Sequence, residues 1–175
     1  MSRSEQAAGA LLIVLCLLAS GFAQAAGLAD LPKRKPGLWE LSVVAASGQQ
    51  VQVTGRMCLD AATDAALTNF GVGLSNQVCS KRDVRVTGSV ATIDAVCKIG
   101  DSVQTLHSKI TFTGNTAYRA EVRVHSDPPF MGRSDTTTTQ IGKWTGSCPP
   151  EMKPGDLMMA NGMKINLKDM AGLKQ

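Results

Sequence analysis

The clearest fold signal is the stretch SVQTLHSKITFTGNTAYRAEVRVH, residues 102–125. From Tyr118 to Val124 every second side chain is apolar, and the side chains between them are charged. A period of two is typical of a strand that buries one face. The residues before the Gly-Asn pair at 114–115 alternate in the same way, and that pair marks a turn. The stretch therefore predicts an antiparallel hairpin.

The two strands of this hairpin, 102–113 and 116–125, also constrain the loop between them. A loop of only two residues would place Phe112 opposite Ala117 and set the two apolar faces on opposite sides of the sheet. The apolar faces match when the loop gains one residue. We therefore expect a three-residue loop or a β-bulge at this position.

Five more segments carry strand signals and are separated by glycine-rich or polar turns. Seven short strands predict a mainly β fold, an antiparallel meander that forms a closed or half-open barrel. The polar run Thr136–Thr139 predicts an edge strand. The five further segments are 38–45, 50–58, 79–87, 89–98 and 134–146.

Three segments break the strand pattern. Asp60 is expected to cap a short helix that ends before Gly71 and Gly73. Two prolines in Ser126–Gly132 predict a loop, because proline lacks the N–H that a sheet requires. The C-terminal tail is rich in methionine, and its part from 156 to 170 predicts a loop and one short helix.

Residues 1–25 are typical of a removable export signal. Arg3 supplies the positive start, the apolar run covers 10–19, and Ala23-Gln24-Ala25 forms a small-x-small cleavage site. The apolar run is too short for a good membrane-spanning helix. We therefore expect a periplasmic or secreted protein with a single domain, 26–175, and no membrane span after the signal is removed.

Four cysteines remain in the predicted mature chain, and in an oxidising compartment they predict two disulfides. If Gly88 centres the hairpin around it, Cys79 stands directly opposite Cys97. That pairing leaves Cys58 for Cys148. The spacings contain no Cys-x-x-Cys element, which disfavours a metal site.

Composition and motifs exclude several functions. The net charge is only +4, and aromatic residues make up 4% of the chain without basic runs between them, so no nucleic-acid partner is expected. There is no Gly-x-Ser-x-Gly elbow and no phosphate-binding glycine loop. We predict no catalytic residue and no cofactor.

Two groups of residues raise the question of a metal. His107 and His125 fall on the polar face of the hairpin, where they would form either a metal or acid–base site or part of a solvated surface, and the alternation favours the surface. The methionines of the tail suggest either copper(I) or flexible apolar packing, and their irregular spacing favours packing. We therefore expect no metal. The tail methionines are Met152, Met158, Met159, Met163 and Met170.

Four apolar side chains are candidate contact residues. Phe130 and Met131 follow the two prolines and are expected on a stiff, exposed loop. Trp39 and Trp144 lie near the two ends of the predicted strand ladder, where they would share one core or line the mouth of the barrel.

Four short boxes carry a resemblance to a known family. They are KPGLWE at 35–40, MCLD at 57–60, TFTGNT at 111–116 and KWTGSCP at 143–149. With the four-cysteine layout, the chain resembles a family of exported bacterial proteins with a KPGLWE box, domain of unknown function 3617. The resemblance implies export, one β-rich domain and this cysteine layout. It implies no activity and no catalytic residue.

These observations favour a non-enzymatic binder of an apolar ligand or of an envelope component, held in the barrel or at its mouth. The alternative is a protein-binding module, such as an inhibitor of an envelope hydrolase, that uses the Phe130–Met131 loop. An envelope enzyme is the least favoured interpretation, because the sequence contains no recognisable site. An enclosed apolar cavity would distinguish the first interpretation from the other two.

Overall fold

A computed structural model describes residues 27, 30–45 and 53–170. The predicted signal, 1–25, and the turn predicted at 46–49 lie outside these residues. The described chain forms nine strands and two helices. They are β1 (Gly37–Ala45), β2 (Val53–Leu59), α1 (Ala61–Val78), β3 (Cys79–Thr87), β4 (Val90–Ile99), β5 (Ser102–Thr113), β6 (Ala117–Phe130), β7 (Arg133–Gly146), β8 (Asp156–Met159), β9 (Lys164–Asn166) and α2 (Leu167–Met170).

The strands form one antiparallel sheet in the order β3-β4-β5-β6-β7-β1-β2-β8-β9. The fold is mainly β, as predicted, but within the described residues the sheet is not closed, so the prediction of a closed barrel was wrong. The edges are β3 and β9. Helix α1 contacts β3 and β4 near one edge and α2 near the other. The edge strands β3 and β9 therefore do not pair with each other, and α1 lies between the two edges instead.

The β5–β6 hairpin has the predicted three-residue loop, 114–116. Thr113 pairs with Ala117, and Phe112 pairs with Tyr118, so the apolar faces of both strands lie on the same side. That side is the inner face of the sheet, which α1 covers. The prediction from the apolar pattern is confirmed here because burial of one face fixes the register.

Both cysteine pairs lie at disulfide distance, Cys58 with Cys148 and Cys79 with Cys97. The β3–β4 register, however, differs from the prediction. The turn contains two residues, of which Gly88 is the first and has a left-handed φ of 58°. Because the turn is not centred on Gly88, the register is shifted by one residue from the predicted one. A β-bulge immediately after Cys79 removes the shift and restores its pairing with Cys97.

Helix α1 is longer than predicted. Asp60 caps it by accepting a hydrogen bond from the Thr63 backbone N–H at 2.6 Å, as expected. The helix then continues through Gly71 and Gly73 to Val78. A glycine in a helix costs only about 1 kcal/mol relative to alanine. Packing against the sheet outweighs that cost, so the glycines do not end the helix.

Ser126–Gly132 is not the predicted loop, because β6 continues to Phe130 and only two residues turn the chain. The regular β6–β7 pairing stops at His125 and resumes at Phe130, and the pairing with β5 ends at Asp127. The prolines at 128–129 therefore lie where no ladder partner needs their missing N–H. The prolines predict a break in the strand, whereas the structure places them inside β6, in the gap between its two paired stretches.

Two further predictions were wrong. Thr136–Thr139 lies in β7, which is an interior strand because β1 returns to pair with it. The tail contains a hairpin, β8–β9, in addition to the short helix α2. An Asn-Gly pair at 161–162 is the turn signal that marks this hairpin. Strand β8 pairs with β2, so the tail extends the sheet.

The buried core lies where β1, β2 and β7 meet. Trp39, Met57 and Leu59 are almost fully buried and form its centre. Side chains from β1, α1, β6, β7 and the tail pack around them. These surrounding residues are Leu41, Leu67, Tyr118, Trp144, Leu157 and Leu167.

Candidate functional site

A cavity of about 360 Å³ lies between the segment 31–34, the first half of α1 and the inner face of β5 and β6. Its size falls at the lower end of the range for small-molecule sites. Apolar side chains form most of its wall, and among its polar side chains Arg34, Asp64 and Tyr118 interact with one another. The apolar residues are Leu31, Pro32, Ala61, Ala65, Ile110 and Phe112, and the other polar residues are Lys33, Thr68 and Asn69.

The helical wall of the cavity follows from the spacing along α1. Ala61, Asp64, Ala65 and Thr68 recur at intervals of three and four residues, which places them on one face of the helix. Ala61 and Ala65 are exposed to solvent, so the cavity opens beside the helix. Alanine at these positions leaves the space that a larger side chain would fill.

Contacts among three aromatic side chains fix the strand wall of the cavity. Tyr118 stacks on Trp39 of β1 with ring centroids 6.0 Å apart, and the ring of Phe112 on the neighbouring strand β5 lies 6.4 Å from that of Tyr118. Gly142 stands opposite Tyr118 on β7, and a Cβ added there would overlap the tyrosine ring. The glycine in the middle of β7 therefore creates the place in which Tyr118 lies.

An ion pair forms the polar part of the cavity. Arg34 donates from Nε to Asp64 Oδ1 at 2.6 Å, and its backbone N–H donates to Oδ2 at 3.2 Å. The two side chains are only 20% and 10% exposed. Separating the two partners would leave each charge poorly solvated, which costs free energy. The pair therefore holds the segment before β1 against α1.

Tyr118 is the third polar group. Burial raises the pKa of its phenol, while the charge of Arg34 and a side-chain hydrogen bond with Arg34 lower it, and burial has the larger effect. The phenol therefore keeps its proton at neutral pH. The three interacting groups are thus one neutral hydroxyl, one guanidinium and one carboxylate, and Lys33, Thr68 and Asn69 complete the polar lining.

The two histidines lie on the outer face of the sheet, diagonal to each other as the alternation predicts. His107 Nδ1 lies 2.6 Å from Asp94, and His125 Nδ1 lies 2.9 Å from Asp135, with all four side chains at least half exposed. Among the described residues there is no group of three or more potential metal ligands. This arrangement is that of a solvated surface with two separate His–Asp contacts.

The predicted contact residues lie in two other places. Trp39 is in the buried core, and Trp144 packs beside it half-buried. Phe130 and Met131 lie at the tip of the β6–β7 hairpin, 40% and 87% exposed. The structure therefore separates the tryptophans from the exposed apolar pair and places neither pair among the residues that line the cavity.

The KPGLWE box joins the start of β1 to the end of β7. Lys35 lies over the Trp144 ring with Nζ 3.7 Å from its centroid, and the Pro36 carbonyl accepts a hydrogen bond from Trp144 Nε1 at 3.0 Å. Trp39 Nε1 donates to the Lys35 carbonyl at 2.8 Å. Gly37 has a φ of +132°, and any side chain there would collide with the backbone of β7. These contacts give the box a structural role.

Sequence reasoning missed the three converging polar residues. In the sequence Asp64 falls in the first turn of the predicted helix, and Tyr118 is one member of an apolar strand face. Arg34 lies in a short polar segment with no pattern of its own. Nothing local in the sequence indicates that Arg34 meets Asp64 thirty residues later. The helical spacing of Ala61, Asp64 and Ala65 is the one available signal.

The fold and the site define a disulfide-linked, open antiparallel β-sheet that holds a helix against its inner face beside a small amphipathic cavity. The chain belongs to the family described as "Protein of unknown function (DUF3617)", whose model matches residues 34–148. No curated protein and no solved structure shows a match. Within the described residues, no helix combines the length and apolar character needed to cross a membrane.

Proposed function

We propose that the protein is a non-enzymatic binder of a small apolar or amphipathic molecule, which it holds in the cavity between α1 and the β5–β6 face. The observation that supports this most directly is the cavity itself, about 360 Å³ with mainly apolar walls and a few convergent polar groups. Such a combination is typical of small-molecule sites, where apolar area supplies affinity and polar groups supply orientation.

The position of the cavity also supports binding. Its strand wall is attached to the buried core through the stacking of Tyr118 on Trp39. Its opposite wall belongs to α1 and to the segment that Arg34 fixes to that helix. A preformed site of this kind loses little conformational entropy when a ligand enters.

The proposal places the protein in the periplasm or outside the cell. Two cysteine pairs at disulfide distance are typical of an oxidising compartment. They agree with the export signal predicted at 1–25. In the cell envelope, a molecule of low water solubility requires a protein that shields its apolar part from water.

A cavity-filling substitution tests the proposal. Ala65→Phe places a large ring in the cavity, whereas Ala62→Phe makes the same change at an exposed residue of the same helix that is outside the cavity lining. The probe is 1-naphthylamine, which is small enough for the cavity and whose fluorescence shifts to shorter wavelength in apolar surroundings. We expect saturable binding by the wild type and by Ala62→Phe, and a loss of at least tenfold in affinity for Ala65→Phe. Equal binding by all three proteins would contradict the proposal.

A second candidate function is supported by the β6–β7 hairpin tip. Met131 is 87% exposed and adopts a left-handed φ of 51°, with Phe130 beside it. An exposed apolar pair on a two-residue turn is a suitable element for insertion into another protein, such as an envelope hydrolase. This candidate depends on the hairpin tip alone and is independent of the cavity.

A further inference from the structure

The charges around the cavity are unequal. Lys33 and Arg34 line it from the segment before β1, and Asp64 lines it from α1. The Arg34–Asp64 pair is neutral as a whole, so the remaining positive charge beside this mainly apolar space is that of Lys33, which is exposed to solvent. A ligand with a single negative charge would balance this charge, whereas a cationic ligand would place a second positive charge beside it.

Arg34 is well suited to bind an anion. A guanidinium carries five N–H donors in a rigid plane. Asp64 takes the Nε donor, and the hydrogen bond with Tyr118 is the second side-chain contact that acts on this group. These two partners use only part of the five donors. Asp64 also fixes the orientation of the group, so a carboxylate that enters the cavity meets a pre-positioned donor.

Tyr118 adds a second donor at the same end. Its phenol is buried beside the Arg34 guanidinium and keeps its proton, because burial raises the pKa. A neutral hydroxyl can donate a hydrogen bond to a carboxylate oxygen without adding charge. The guanidinium and the hydroxyl thus form a polar end in which both groups can donate.

The apolar part of the cavity sets the size of the ligand. Ile110 and Phe112 form the strand wall, and Ala61 and Ala65 form the helical wall. A volume of about 360 Å³ corresponds to roughly a dozen non-hydrogen atoms, if each occupies about 30 Å³, the share of one water molecule in the liquid. A chain of about ten carbons with a carboxylate has this size.

We propose that the cavity binds a medium-chain carboxylate, with its hydrocarbon chain between α1 and the β5–β6 face and its anionic group at Arg34. This inference rests on the proposed function and extends it by naming the class of ligand. A neutral amphiphile of the same length would fill the apolar space but would leave the extra positive charge unbalanced.

Calorimetric titration with three probes of equal chain length tests the inference. The probes are decanoate, 1-decanol and decylamine at neutral pH, the two charged probes below their micellar concentrations and decanol below its solubility limit. We expect decanoate to bind at least tenfold more tightly than decanol, and decylamine to bind more weakly than decanol. Equal affinities for decanoate and decanol would overturn the inference.

A pair of variants assigns the selectivity to the ion pair. Arg34→Met alone would leave Asp64 buried without its partner, so the test variant is Arg34→Met with Asp64→Asn. We expect decanoate to lose about tenfold to a hundredfold in affinity, the range for hydrogen bonds to charged groups, while decanol binding stays unchanged. The control is Arg123→Met, the same substitution on the exposed outer face of β6. Unchanged decanoate binding in a double variant that retains the wild-type circular dichroism would overturn the assignment to Arg34.

The two proposals fail in different ways. If decanol and decanoate bind equally and both are lost in Ala65→Phe, the cavity binds apolar molecules and only the headgroup inference is wrong. If neither decanoate nor decanol binds to the wild type, and the naphthylamine probe also fails to bind, the proposed function itself is wrong and the inference falls with it.

Discussion

The two ends of β7 differ in almost every contact they make. At the end that contains Trp144, the KPGLWE box supplies a cation over the indole ring and an acceptor for its N–H. At the other end the chain turns through Met131, which is 87% exposed, and Phe130 is 40% exposed beside it. One end is fixed to the core, and the other projects into solvent.

This difference indicates where stability resides in the molecule. The buried cluster and the Cys58–Cys148 bond lie at the Trp144 end, so we expect changes there to cost more stability than changes at the hairpin tip. The cavity adjoins this stable end, since Tyr118 pairs with Gly142 only two residues before Trp144. The hairpin tip contributes little to the core, and its residues are therefore available for recognition.

The largest expected effect is the loss of the Cys58–Cys148 bond. It spans 90 residues, whereas Cys79–Cys97 spans 18. In the chain-entropy model these loops correspond to about 4.6 and about 3.2 kcal/mol. We expect urea unfolding to show a greater loss for the double Cys→Ala variant of the longer loop. A greater loss for the shorter loop would contradict the assignment of stability to the Trp144 end.

The core cluster predicts the next effect. Trp39 is 1% exposed, and Trp39→Ala should lower the free energy of unfolding by about 3–5 kcal/mol, because it removes packing and leaves a cavity. Leu74→Ala on α1 is the control, since Leu74 is 49% exposed and should change stability by less than about 0.5 kcal/mol. Similar losses for both variants would show that the core is not concentrated around Trp39.

A smaller effect is expected at Gly142. The methyl group in Gly142→Ala would overlap the ring of Tyr118 and should cost about 1–3 kcal/mol, the usual range for overpacking. The same substitution in a Tyr118→Ala background should cost much less, because the ring is absent. A double-mutant cycle measures this coupling, and strictly additive effects would rule out the proposed contact.

The dependence of stability on pH follows from Tyr118, the only tyrosine in the chain. Burial raises its pKa in the folded state above the ordinary value of 10.0 for tyrosine. The unfolded chain therefore releases this proton first, and the contribution of Tyr118 to stability is complete below about pH 10 and is lost as the pH rises above it. Tyr118→Phe should have a shallower loss of stability above pH 10. Tyrosinate absorbance reports the folded pKa directly, and a value below 10 would contradict this prediction.

The parts of the fold that the sequence predicted are those governed by alternation. The β5–β6 register followed from matching apolar faces, and the pairing of Cys79 with Cys97 followed from a hairpin at Gly88. The second prediction was right for a partly wrong reason, because the turn shifts the register by one residue and a bulge shifts it back. A bulge leaves no local trace in the sequence, since its cause is the pairing across strands.

The parts that the sequence did not predict depend on contacts between distant segments. Thr136–Thr139 is polar on both faces, yet it is an interior strand because β1 pairs with β7. The glycines at 71 and 73 lie inside α1 because the sheet supports the helix. The Arg34–Asp64 pair is also a contact between distant segments, because its two residues lie thirty positions apart in the sequence. Local propensity carries no information on such contacts.

The smallest effect on stability is expected at the hairpin tip. Replacing Phe130 and Met131 by serine removes two side chains that are 40% and 87% exposed, so the free energy of unfolding should change by less than about 0.5 kcal/mol. If the tip recognises another protein, capture of that partner should fall, while binding of the naphthylamine probe in the cavity stays as in the wild type. Because the two readouts depend on different ends of β7, this variant separates the two candidate functions. A large loss of stability in the double variant would show that the tip belongs to the core. That result would overturn the contrast between the two ends of β7.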